Sequence, residues 1–169
     1  DLACLSFGFR VVPIPLNSTT EHASYIINHS EITHLFIGGK NGNKIWNEIK
    51  DSHEIITINM SEANRFTNYS MNWDSFLSSS DTVQDFDVNE HLSNIDMEAI
   101  QTIMYTSGTT ANPKGIIFDQ INIMSKRFAR ALALPNVNSQ DIFLAYLPLF
   151  HTFGRYFEML GSIFWGSSY

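Results

Sequence analysis

The sequence predicts an α/β fold, a mostly parallel sheet flanked by helices, and three observations carry that expectation. Short apolar runs at residues 33–37, 54–58 and 99–105 alternate with stretches of helical spacing, the pattern of βα units around a largely parallel sheet. The 169 residues are 44% hydrophobic, enough to build a sizeable core. One cysteine, Cys4, leaves no internal disulfide to substitute for that core, and no carboxylate or histidine is placed to activate it as a nucleophile.

In order, residues 2–7 read as the end of a helix stopped by Gly8, followed by a short strand at residues 10–16, whose Pro13 and Pro15 suit an edge. A helix over residues 21–29 follows the candidate caps Ser18 and Thr19. The strand at 33–37 ends at Gly38 and Gly39, a short amphipathic helix over 44–50 carries Ile45 and Ile49, and the next strand is 54–58. Residues 64–94 read as a polar surface connection, with one helical turn at Trp73, Phe76 and Leu77. The strand at 99–105 is expected to return through residues 116–118. Asp119 caps a helix to about Leu134 with Ile121, Met124, Phe128 and Leu132 at spacings of three and four. A last strand over 142–147 leads into a helix over 153–164.

Charge narrows the function classes. The net charge of −7 speaks against a nucleic-acid partner, but it is uneven: residues 1–98 carry −9 and residues 99–169 carry +2. The basic part is where a phosphate belongs. No apolar run approaches the ~20 residues of a spanning helix, and the lone thiol fits a reducing, cytoplasmic setting; attachment to a membrane periphery through parts outside the sequence stays open. A start at Asp1 and an apolar, aromatic end at Tyr169 lead to the expectation that the sequence is a piece of a longer polypeptide.

The informative segment is residues 105–115, Tyr-Thr-Ser-Gly-Thr-Thr-Ala-Asn-Pro-Lys-Gly, which sets four Ser/Thr hydroxyls, two glycines and one lysine between apolar strands. So many donors between strands are costly unless an anion satisfies them, and a polyphosphate does so through backbone N–H groups, hydroxyls and the Lys114 charge. The P-loop spacing fails, because Pro113 stands where its second glycine belongs, and no G-x-G-x-x-G occurs. A plain hairpin turn also uses these residue types, but such loops take about 2–5 residues.

This segment resembles the signature phosphate loop of the adenylate-forming, AMP-binding superfamily: acyl-CoA synthetases, firefly-type luciferases and nonribosomal peptide adenylation domains. Residues 10–16 resemble the family's early Gly-x-x-x-Val-Pro-Leu strand, and residues 147–154, Leu-Pro-Leu-Phe-His-Thr-Phe-Gly, resemble its next downstream motif. The resemblance implies an incomplete N-terminal AMP-binding domain over residues 1–169, part of an acyl-adenylate-forming enzyme, with the phosphate loop at 105–115 and the C-terminal domain and catalytic lysine downstream. It implies that Thr106, Ser107, Gly108, Thr109, Thr110 and Lys114 contact the β- and γ-phosphates of ATP, that Thr106 helps hold Mg2+, and that His151 lies near the acyl-adenylate. By residue type alone, His151 is more often a satisfied strand-end histidine; the motif reverses that preference. Arg155, one helical turn further on, is placed to help orient an anion, and its spacing to Glu158 equally fits a helix-surface pair; it stays outside the site. Ala111 stands where the family commonly has glycine, so either the turn differs or its ATP contact is weakened.

The resemblance further implies acid-thiol ligase chemistry, fatty acid plus ATP plus coenzyme A giving an acyl-adenylate and then an acyl-CoA. Residues 150–160 look most like long-chain fatty acyl-CoA synthetases. The 169 residues alone are expected to be inactive. A luciferase-like or amino-acid-adenylating member, or a non-catalytic nucleotide-binding or interaction module, are the alternatives; downstream pocket residues separate the first two, and the absence of a downstream acidic motif marks the last.

Overall fold

The computed structural model describes residues 1–61, 68–82, 87–106 and 112–169. Its elements are α1 (Leu2–Ser6), α2 (Thr20–His29), β1 (His34–Ile37), α3 (Gly39–Ile49), β2 (Ile56–Asn59), β3 (Met71–Asn72), α4 (Trp73–Ser78), α5 (Val88–Ser93), β4 (Ile100–Thr106), β5 (Lys114–Asp119), α6 (Gln120–Ala133), a π-helical segment (Phe153–Met159) and α7 (Leu160–Trp165). They fall into two compact units, one drawing on Asp1–Pro13, Asn89–Thr106 and Lys114–Tyr169, the other on Ile14–Val88.

The Ile14–Val88 unit is a small parallel α/β layer. β1 pairs with β2 from His34 opposite Ile56 to Ile37 opposite Asn59, and β2 pairs with β3 at Ile58 opposite Met71. The Thr19 hydroxyl caps α2 by accepting from the His22 N–H at 3.2 Å. Ala23, Ile27, Ile37, Trp46 and Ile49 form the core against Ile14, Leu35 and Ile45. The indole N–H of Trp46 donates to the Asn68 carbonyl at 3.2 Å, so its polar edge is satisfied inside the apolar layer. α3 starts five residues before the expected Lys44, because Gly38 in extended backbone supplies the entry and the buried Asn43 side chain donates to the Gly39 carbonyl. Within the expected connection over 64–94, the helical turn at Trp73, Phe76 and Leu77 forms as α4, capped by Asn72, which accepts from the Ser75 N–H at 2.7 Å; the rest is corrected in its described parts, where Met71–Asn72 joins the sheet and α5 follows.

His53 in this unit is half-buried and its Nε2 lies 2.9 Å from the Ser24 hydroxyl. Burial pushes its pKa below the ordinary 6.5. The unfolded chain therefore takes up the proton first as pH falls, so the contribution to stability is complete above about pH 6.5 and is lost below it. His53→Gln is expected to flatten the fall in melting temperature between about pH 7 and about pH 5, read by thermal unfolding across that range.

The other unit is built on an antiparallel pair. β4 and β5 run from Ile100 opposite Asp119 to Thr106 opposite Lys114, and Val11 adds a parallel bridge to Thr102, its N–H donating to Gln101 at 2.9 Å and its carbonyl accepting from Ile103 at 3.1 Å. The expected strand at 10–16 shrinks to that bridge, since Pro13 and Pro15 bring no N–H to extend it. The expected strand at 142–147 shrinks likewise to a bridge between Ile142 and Ser168: an apolar run forms a strand only where a neighbouring chain offers a ladder. The core is Met104, Phe118 and Tyr156 with Ile123 and Leu160.

Asp119 caps α6, accepting from the Asn122 N–H at 2.6 Å. Asp119→Ala is expected to cost about 1 kcal/mol in urea unfolding. The helix forms as its spacing predicts, yet Ile121, Met124, Phe128 and Leu132 are exposed and Arg127 is buried. The opposite face packs instead, because Arg127 and Arg130 lay their guanidiniums over the rings of Trp165 and Phe157 at 5.8 and 5.3 Å. Burial, with the like charge of Arg130, pulls Arg127 down to about 10.

Candidate functional site

The strand pair ends at two of the predicted site residues, Thr106 and Lys114. Tyr105 is buried on β4 opposite Gly115 on β5. A Cβ at position 115 would lie 2.9 Å from Ile103 Cγ2 and 3.2 Å from the Tyr105 ring, so glycine here is a matter of space for the facing side chains. One rung further, Thr106 and Lys114 face each other as the last pair of the ladder, and both are exposed. The Thr106 hydroxyl reaches the Lys114 carbonyl at 3.5 Å, long enough to leave it available to another acceptor or to a cation. Thr106 and Lys114 thus stand at the two strand ends between which the predicted phosphate loop lies in sequence. Ser107, Gly108, Thr109, Thr110 and Ala111 lie outside the described residues.

As for a metal, the described residues hold no group of three or more His, Cys, Asp or Glu placed to bind one. A lone hard oxygen, the Thr106 hydroxyl, suits Mg2+, which takes few ligands from protein and the rest from phosphate and water.

His151 stands on a different feature, the turn that enters the π-helical segment. Its N–H donates to the Pro148 carbonyl at 2.9 Å, and its Nδ1 accepts from the Phe153 N–H at 3.2 Å. Accepting there leaves the proton of the neutral ring on Nε2, on an exposed side chain. The turn is tight because residue 154 is glycine: a Cβ would stand 2.6 Å from the Leu147 carbonyl oxygen and 2.8 Å from that of Pro148.

Arg155 departs from the expected surface pair with Glu158. It is 2% exposed, Glu158 is 3% exposed, and the guanidinium forms an ion pair with the Asp1 carboxylate. The π-helical turn, wider than an α-turn, turns Gly154, Arg155, Tyr156, Glu158 and Met159 all inward, which no amphipathic α-helix does. The sequence held one signal of this: Arg155 and Glu158 interrupt an otherwise aromatic and apolar stretch. Cys4 is half-buried on α1, a free thiol.

Among the described residues no helix is long and apolar enough to cross a membrane. Among curated proteins, long chain acyl-CoA synthetase 4 of Arabidopsis thaliana is 29% identical over 171 residues, covering 92% of this chain and 25% of that protein. Fatty acyl-CoA synthetase A of Dictyostelium discoideum is 29% identical over 161 residues, covering 92% and 24%. The chain therefore spans about a quarter of the length of these relatives. In structure, ATP-bound MatB of Rhodopseudomonas palustris superposes with a TM-score of 0.70 at 16% identity, over 99% of this chain and 31% of that one. A red-emitting luciferase of Phrixothrix hirtus gives 0.72 at 19%, over 99% and 32%. At these identities the structural likeness is one of fold. The sequence pattern of the family described as AMP-binding enzyme matches residues 1–169 throughout, and the chain belongs to that family.

Proposed function

We propose that the intact protein activates a long-chain fatty acid with ATP and passes it to coenzyme A, and that the hairpin mouth between Thr106 and Lys114 grips the triphosphate tail. The reading is carried by that last rung, a hydroxyl opposite an ammonium at the base of a hydroxyl-rich loop, in an AMP-binding family chain whose relatives include long-chain acyl-CoA synthetases.

The acid's carboxylate oxygen attacks the α-phosphorus; the bond from that phosphorus to the bridging oxygen breaks, and pyrophosphate departs with the electron pair. The thiolate sulfur of coenzyme A then attacks the acyl carbonyl and AMP leaves. The protein's task in the first half is to hold the tail in line and offset its growing charge, which Lys114 does as a point charge, together with Thr106, Ser107, Gly108, Thr109 and Thr110 as donors. Mg2+ bound with the nucleotide would neutralise phosphate charge, with Thr106 as its ligand from this part of the chain. His151 presents Nε2–H beside the acyl-adenylate. A reducing, cytoplasmic setting fits the free Cys4 thiol.

Acid-dependent exchange of labelled pyrophosphate into ATP tests this in the full polypeptide. Exchange that needs a fatty acid, and rises from short to long chains, is expected; exchange driven by amino acids, or absent with every fatty acid, overturns the reading.

A further inference from the structure

We propose that Arg155 is a positioning residue that holds the turn carrying His151 in its working geometry; this rests on the reading of His151 as a neighbour of the acyl-adenylate. Arg155 touches that turn from two directions. Its backbone N–H donates to the His151 carbonyl at 3.0 Å, and its Nη1 donates to the Leu149 carbonyl at 3.4 Å. Its Nη2 is tied to the Asp1 carboxylate, 154 positions away in sequence, so the guanidinium anchors the turn to α1 as well as to itself.

Stability alone does not account for such a residue. Burying a guanidinium is expensive even when paired, and an apolar side chain of similar volume usually serves a core as well or better. Arg155 carries that cost: it is 2% exposed and desolvation draws its pKa down. What the charge provides is direction, since a planar fork reaches a carbonyl and a carboxylate at fixed angles. The carbonyls it holds set the path of residues 149–153, and that path sets His151, whose ring is fixed in turn by the Phe153 N–H on Nδ1. Gly154, one residue before Arg155, lets the backbone pass close to the carbonyls of Leu147 and Pro148.

The role predicts a specific pattern in the full-length protein. Arg155→Met, which keeps bulk and removes the donors, is expected to lower kcat/KM for the fatty acid about 10-fold in pyrophosphate exchange while leaving the KM for ATP unchanged. Beside His151→Ala it is expected to add less than about 2-fold, because both changes remove one function. Arg155→Lys is expected to restore part of the loss, and carries the test if the methionine variant does not fold. Equal effects in the presence and absence of His151, or parallel changes for acid and ATP, overturn the proposal.

Hydrogen exchange of peptides spanning residues 147–157 separates the two layers. A turn that loosens in the Arg155 variants, together with a silent His151→Ala, overturns the catalytic reading of His151 alone. A turn that keeps its protection overturns the role of Arg155.

Discussion

Replacing Lys114 with alanine in the intact protein is expected to reduce acid-dependent ATP–pyrophosphate exchange about 100-fold, the size of effect seen when one preorganised charge-stabilising donor is taken from a reacting site. The loss should be selective. Lys114 sits at the open end of the β4–β5 ladder with its side chain exposed, so its removal leaves no cavity and no unpaired buried group, and the unfolding midpoint should move by no more than about 0.5 kcal/mol. Affinity for ATP should fall while affinity for AMP stays, because AMP lacks the phosphates that Lys114 is proposed to grip. Lys114→Arg should retain part of the activity, since the charge remains while its point-like shape does not. Equilibrium titration with both nucleotides beside the exchange assay reads all of this. Equal loss for ATP and AMP would move Lys114 out of the tail site.

Gly154→Ala is expected to be the most damaging single methyl in the described chain. The added carbon would meet two backbone oxygens, of Leu147 and Pro148, at 2.6 and 2.8 Å, and a backbone cannot step aside as a flexible side chain can. Overpacking of this kind costs about 3 kcal/mol, read as a drop in the urea midpoint. Function should fall further than stability. The strain is relieved only by opening the turn of residues 147–152, the turn that aims His151, so at a temperature where the variant is still folded its turnover with fatty acid should be down about 10-fold or more. A variant with wild-type stability and turnover would show that the turn is looser than its geometry implies.

Much of the architecture was legible because particular residues act locally. Asp119 before an apolar periodic segment marks α6, and Ser18 or Thr19 marks α2, of which Thr19 is the cap, since a short acceptor side chain satisfies an orphan N–H. The runs at β1, β2 and β4 announce themselves by branched and aromatic content. The rest depended on partners distant in sequence. Residues 10–16 and 142–147 look like strands, but strand formation is a property of two chains, and prolines or missing neighbours reduce each to a single bridge. Met71–Asn72, too short to show a pattern, is a strand because β2 is there to pair with it.

The site divided in the same way. Lys114 and Thr106 were proposed from residue type and motif, and the ladder register sets them opposite each other at the end of the strand pair. Of the two readings of Arg155, the surface pair with Glu158 fails, because the π-turn carries both side chains inward, toward Asp1 in the case of Arg155. The face of α6 was misjudged for a related reason: period identifies a stripe, but aromatic rings on α7 and the π-helical segment chose the arginine face.

The most direct measurement is a crystal structure of the full polypeptide with ATP and Mg2+. The β- and γ-phosphates are expected between the two strand ends, with Lys114 Nζ about 3 Å from their oxygens. A triphosphate bound with its tail away from Thr106 and Lys114 would contradict that placement.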